Sequence, residues 1–335
     1  MDPALQTVIF RMLLTMAFST GRGYTMPGFR EKLLTEVFRC AAIPGAFPSV
    51  YLEFPLIGEP GCDMSLVYGD FQREMPFDEG SACGAGKILN RLRSVPRGMC
   101  FPGLELDIGS DGRFRTARGL RFDSHTELIP VLLESCDAAW RIGELEKLMS
   151  RLPEGWDPYY IGLFTERDGS PLRLGIALGE REALALRESP ARWTDCFHSI
   201  GFEAFDEEML NNLSRCLLPG THWEIELDLH PNGSLGESLG LCVVQNRMQA
   251  RDQTRFLAGD TARLLRELES RGQVDKRWQI LPLCICARGL PVRRAQGEKA
   301  LMALSSSFHS FKLKYRNAAL LQPKGYLQLM GVVLP

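Results

Sequence analysis

Trp223-Glu224-Ile225-Glu226-Leu227-Asp228-Leu229 sorts its side chains by parity, and in a β-strand successive residues point to opposite faces. One face of this stretch is apolar and the other carries three carboxylates. The turn residues Pro231-Asn232-Gly233-Ser234 follow, and Leu239 to Val244 supplies a second apolar run, so the segment reads as a β-hairpin. Working outward, the same signature recurs along the chain. Val50 to Leu56 pairs with Asp63 to Gly69 across Gly58-Glu59-Pro60-Gly61, and Leu104 to Ile108 pairs with Arg113 to Phe122 across Gly109-Ser110-Asp111-Gly112. Tyr159 to Thr165 pairs with Leu172 to Leu178, and Phe308 to Tyr315 with Tyr326 to Val333. Helical segments are expected between the hairpins, over Asp78 to Leu92, Ser124 to Met149, Glu180 to Cys216 (two helices), Gln245 to Leu268 and Gln296 to Leu304.

The order helix, hairpin, helix, hairpin repeats five times, which places the chain in the α+β class as a repeat of α-β-β units. The expected organisation is one domain over 1–335, with an N-terminal helical segment at 1–45 and five hairpin and helix repeats at 46–335. An antiparallel sheet with helices on its apolar face can leave its polar face to water. Ten strands exceed what an open twisted sheet carries without curling or splitting, so closure is the alternative: a ten-stranded barrel, helices outside, charged face turned inward. An open or split sheet, or two separate domains, remain the competing arrangements.

Of the 335 residues 45% are apolar and 24% charged, an ordinary globular composition. Thirty-nine basic and 41 acidic residues are interleaved, leaving a net charge of −2 and no basic stripe, which argues against a nucleic-acid partner. The apolar run Val8 to Phe18 is interrupted by Arg11 and is too short to span a bilayer, so no membrane partner is expected. The ten cysteines contain no CxxC pair and no histidine at zinc-ligand spacing, and read as buried thiols of a reducing, cytoplasmic compartment. P-loop, dinucleotide, nucleophile-elbow and zincin signatures are absent, and Gly84-Ala85-Gly86-Lys87 lacks the spacing of a phosphate loop.

The polar strand faces hold the chemistry. Lys312 and Lys314 share one face, Arg113 and Arg115 another, and Arg173 shares a third with the small residues Gly175 and Ala177; gathered in a lumen, these five cations would form an anion site of diphosphate size. The plainer alternative makes them solvated faces paired with Glu105, Asp107, Glu224 and Glu226. Glu53, on the polar side of its strand, is a candidate general base or cation stabiliser.

Three stretches, Tyr51-Leu52-Glu53-Phe54-Pro55-Leu56, Leu172 to Leu178, and the closing pair Ser310 to Asn317 with Lys324 to Gly331, resemble the ABBA or PT-barrel aromatic prenyltransferases, including the cyanobactin-type peptide prenyltransferases. The resemblance implies a ten-stranded barrel and transfer of an isoprenyl group from an allylic diphosphate to an aromatic or nitrogen-rich acceptor, small molecule or peptide. It implies that Arg113, Arg115, Arg173, Lys312 and Lys314 bind the diphosphate, that Tyr68 and Tyr326 shield the allyl cation, and that Glu53 is catalytic. Glu105, Asp107, Glu224, Glu226 and Asp228 make the lumen more acidic than a diphosphate alone requires, and would hold Mg²⁺ or recognise a cationic acceptor; no tightly bound cofactor is implied. Two rivals stay open: a guanidine-modifying enzyme of the five-bladed pentein type, and a non-catalytic peptide-binding barrel.

Overall fold

A computed structural model describes Met12 and residues 48–59, 62–68, 78, 81–108, 114–123, 125–167, 169–245, 259–279, 286–293 and 297–334. The expected N-terminal segment 1–45 otherwise lies outside the described residues, as does Arg113.

Five hairpins form where turn residues interrupt alternating runs. They are β1 (Pro48–Pro55) with β2 (Asp63–Tyr68), β3 (Phe101–Ile108) with β4 (Phe114–Arg121), β5 (Trp156–Leu163) with β6 (Leu172–Leu178), β7 (Thr221–Leu229) with β8 (Leu235–Gln245), and β10 (Lys299–Arg316) with β12 (Lys324–Leu334). Adjacent hairpins also pair, β2 with β3, β4 with β5, β6 with β7 and β12 with β1, all antiparallel. Pairing of β10 with β8, from Ser310 opposite Val244 to Arg316 opposite Ser238, closes the ring at ten strands. Continuous edge-to-edge pairing excludes the five separate blades of a pentein. Strand β9 (Cys286–Arg293) shares the β8 edge of β10 further along, and β11 (Ala319–Leu320) is a short extension at the last turn.

Outward-facing strand residues and the helices build the core. Trp223, Ile225, Leu227 and Leu229 of β7 are buried, as are Leu172, Leu174, Ile176 and Leu178 of β6. Each such side chain contributes about 1.5–3 kcal/mol of burial. Over them lie α1 (Ser81–Leu92), α2 (Ile129–Ser135), α3 (Ile142–Met149), α4 (Glu180–Glu188), α5 (Ala191–Ile200), α6 (Glu207–Cys216) and α7 (Asp260–Ser270). Trp156 of β5, for example, meets Trp193 of α5 edge-on at 6.1 Å.

Three expectations are corrected here. Of the helix expected over Gln296 to Leu304, Gln296 lies outside the described residues and Lys299 to Leu304 instead begin β10; Ala300, Met302 and Leu304 are buried with period two, because β9 and β12 flank the segment and their ladders override its helix-forming composition. Ser124 to Met149 is broken at Cys136 to Ala138, where Asp137 adopts φ 57° and cannot continue a helix. Glu180 to Cys216 holds three helices, interrupted at Pro190 and at Gly201, whose φ of 78° ends α5. Of the helix expected over Gln245 to Leu268, 246–258 lie outside the described residues and Gln245 ends β8; the remainder belongs to α7.

Candidate active site

Antiparallel order puts all five hairpin turns at one end of the barrel and the helical connections at the other. The inward residues therefore sort by depth. Near the turns lie Asp63, Asp107, Arg167, Arg173, Asp228, Lys314 and Lys324; toward the helical end lie Tyr51, Val67, Phe101, Arg121 and His309. Apart from Asp63, Asp107 and Asp228, these residues line a cavity of about 190 Å³, whose walls also hold Glu53, Glu105, Glu224, Glu226, Lys312, Tyr159, Tyr160 and Tyr326, giving it six cations, four carboxylates and four of the seven tyrosines.

Most of the charge is paired across strands. Arg173, 7% exposed, donates to Asp228 at 2.9 and 3.2 Å and lies 3.3 Å from Glu226, while its guanidinium stacks 4.4 Å from the centre of the Phe164 ring. Lys312, 5% exposed, donates to Glu226 at 2.5 Å. Lys324 donates to Glu53 and, at 3.3 Å, to Asp63, and the Tyr326 hydroxyl donates to Glu53 at 2.6 Å. Arg167 forks onto Asp107 at 2.9 and 2.8 Å. Arg121, paired with Asp123 at 3.0 Å, stands over the Tyr159 ring. Lys314 has no hydrogen bond or ion pair among the described residues.

These contacts set the ionisation. Burial works to raise the Glu53 carboxyl, but Lys324 and then Lys312, with the hydrogen bonds from Lys324 and Tyr326, outweigh it and hold the group well below the usual carboxylate range. Glu226 and Asp228 are lowered against burial in the same way, by Lys312 and Arg173 for the first and by Arg173 for the second. Glu105 and Glu224 move the other way: burial raises both, and the hydroxyls of Tyr160 and Tyr159, the latter at 2.7 Å from Glu224, only partly offset it. Burial and the cations Arg173, Lys312 and Lys324 push Lys314 down to about 8.

The chain is similar over 97% of its length to prenyltransferase PriB in its apo form, with 13% identity, 95% of that chain covered and a TM-score of 0.51. The fold is that of the ABBA prenyltransferase barrel. 5-Dimethylallyltryptophan synthase from Streptomyces coelicolor (11% identity, TM-score 0.46, 97% of this chain and 96% of that one) and AnaPT from Neosartorya fischeri (11% identity, TM-score 0.47, 100% and 92%) also align along the chain. No family model and no curated protein matches the sequence.

Within the ABBA barrel, Glu53, Arg173, Lys312, Lys314, Tyr326, Glu105, Glu224 and Glu226 line the cavity as their strand parity implied. Asp107 and Asp228 sit at its turn end, bound to Arg167 and Arg173. Arg115 is opposite Asp107 in the ladder. Tyr68 is a correction: it shares parity with Met64 and Leu66, faces outward and is wholly buried in the core under the helices, so it cannot shield a cation in the lumen.

Sequence reasoning missed Lys324, Arg121, Arg167, Tyr51, Tyr159 and Tyr160. A β-bulge between Pro158 and Tyr160 breaks the parity of β5, so that both neighbouring tyrosines turn into the ABBA lumen. Their space is made by glycine. A Cβ on Gly162 would lie 2.5 Å from the Tyr160 hydroxyl oxygen, and one on Gly175 would lie 2.9 Å from Tyr160 Cβ and 3.0 Å from a Tyr159 ring carbon. Inward glycines facing a tyrosine pair were the available signal. The acids do not fit a metal: each is engaged by a cation or a tyrosine, and among the described residues no three His, Cys, Asp or Glu side chains converge. Cys242 lines the lumen, but burial and then Glu226 push its thiol far up, which leaves no thiolate nucleophile.

Proposed function

We propose that this barrel is a prenyltransferase that moves an isoprenyl group from an allylic diphosphate to an aromatic or nitrogen-bearing acceptor. The observation that carries the reading is the sorting of one lumen by depth: Arg173, Lys312, Lys314 and Lys324 crowd the turn end, and Tyr51, Tyr159, Tyr160 and Tyr326 line the space beyond them. The PriB fold, borne by a prenyltransferase, supports it.

The diphosphate binds at the turn end, where Lys314 is already uncompensated and Lys312, Arg173 and Lys324 lie beside it. Heterolysis of the allylic C–O bond leaves the electron pair on the diphosphate, and preorganised cations in a dry site stabilise that developing charge. The allyl cation forms among the tyrosine rings, whose faces attract positive charge and whose bulk keeps water away. The acceptor's electron pair forms the new bond to carbon, and the proton it then loses passes to Glu53. Held ionised by Lys324 and Tyr326, Glu53 is a weak base, but an alkylated aromatic cation is acidic enough to give its proton to one.

The reading is tested by thermal unfolding with dimethylallyl diphosphate or inorganic diphosphate at millimolar concentration. A ligand bound only by the folded state raises the midpoint, by about 2.7 kcal/mol of stability at a hundred times Kd. No shift with either compound would refute the donor site. The peptide-binding alternative differs in that no lumen charge is needed for any turnover.

A further inference from the structure

An inventory of charge in the lumen leaves three groups without an ionic partner among the described residues. Arg173, Lys312, Lys324, Arg167 and Arg121 each hold a carboxylate within 3.3 Å. The remaining cation is Lys314, near the turns. The remaining anions are Glu105 and Glu224, deeper in, each met by one tyrosine hydroxyl and no cation within ion-pair distance. Arg121 and Arg173 reach them only through their fields, being committed to Asp123 and to Asp228 with Glu226.

A charge buried without a counter-ion is costly, and this lumen holds the groups concerned in a fixed order along its axis: a lysine at the turn end, and beyond it two carboxyl groups whose ionisation burial opposes until a cation joins them. A diphosphate supplies what Lys314 lacks. It supplies nothing to Glu105 and Glu224.

Resting on the donor site proposed above, we infer that the acceptor is an organic cation bearing N–H groups, a guanidinium or alkylammonium, seated against Glu105 and Glu224 beside Tyr159 and Tyr160. A neutral aromatic acceptor would cover the two carboxylates without neutralising them, whereas N–H cations form charge-assisted hydrogen bonds to carboxylates and stack on tyrosine faces. Donor and acceptor would then attract one another across a water-poor cavity, so each tightens the other's binding. One guanidinium nitrogen gives its proton to a carboxylate, its freed lone pair forms the C–N bond as the allylic C–O bond breaks, and alkylguanidinium and diphosphate leave, the proton passing on to diphosphate or solvent.

Calorimetric titration of the full chain with butylguanidinium and with butylurea, matched in shape and different in charge, isolates the inference. Butylguanidinium is expected to bind about tenfold or more tightly than butylurea, a ratio typical of charged hydrogen bonds, and tighter still with inorganic diphosphate present. Glu105→Gln and Glu224→Gln should each reduce that preference while leaving the affinity for diphosphate alone unchanged. Equal binding of the two probes by the unaltered protein, or a preference untouched in both variants, would overturn the inference. Failure of diphosphate to bind would overturn the donor site instead, with the guanidinium-to-urea ratio still judging the cation site.

Discussion

Replacing Lys314 by Met separates the stability of this barrel from its binding of anions, because this side chain is crowded by like charge and has no ion pair among the described residues. Burial, then Arg173, Lys312 and Lys324, depress its ionisation from 10.5 to about 8, and Asp228 only partly opposes them. At 1.36 kcal/mol per pKa unit the charged form is disfavoured in the folded protein by about 3 kcal/mol, and partial access to water makes about 1–3 kcal/mol the measurable range. A lysine with a lowered folded pKa binds fewer protons when folded than when unfolded, so the penalty is fully present below about pH 8 and fades as pH rises toward 10.5. Lys314→Met should therefore unfold at higher urea at pH 7, with the gain shrinking above pH 8. Its affinity for inorganic diphosphate should fall about 10- to 100-fold, the loss expected for a charged hydrogen bond. In the unaltered protein that affinity should weaken as pH rises through about 8, and Lys314→Arg, which stays charged, should flatten this dependence. A Met variant that is less stable at pH 7, or that binds diphosphate undiminished, would refute the account of Lys314 as an uncompensated cation aimed at an anion.

Glu53→Gln is expected to lower prenyl transfer by about 10²- to 10⁴-fold, the range for general acid and base groups, with donor affinity little changed; turnover equal to that of the parent would remove Glu53 from the chemistry. Lys312→Ala should cost several kcal/mol in urea unfolding besides weakening diphosphate binding, because it strips a buried cation from Glu226 and leaves it Arg173 and the Cys242 thiol; a stability within about 0.5 kcal/mol of the parent would show the pair to be unimportant. Gly175→Ala should destabilise by about 1–3 kcal/mol, since the new methyl meets Tyr159 and Tyr160 at 3.0 and 2.9 Å, and an unchanged unfolding midpoint would mean the bulge repacks freely.

Alternation is a property of neighbouring residues, so the chain alone determined the hairpins, their turns and which side of each strand faces the helices. That is why Glu53, Arg173, Lys312, Glu224 and Glu226 were legible as members of one polar surface before any coordinates. The same parity, followed strictly, would also have placed Tyr68 outside with Met64 and Leu66. What only the tertiary structure decided depends on pairings distant in sequence. Closure of β8 onto β10 and of β12 onto β1 turns a surface into a lumen, brings Lys312 to Glu226 and Lys324 to Glu53, and leaves Lys314, Glu105 and Glu224 without an ion-pair partner among the described residues. The bulge that turns Tyr159 and Tyr160 inward is likewise invisible to parity, because one extra residue in a strand is fixed by the register of its neighbours across the sheet and by the glycines that leave room for the rings. Local sequence specifies which face a residue occupies; the curvature and register of the closed sheet specify what that face meets across the cavity.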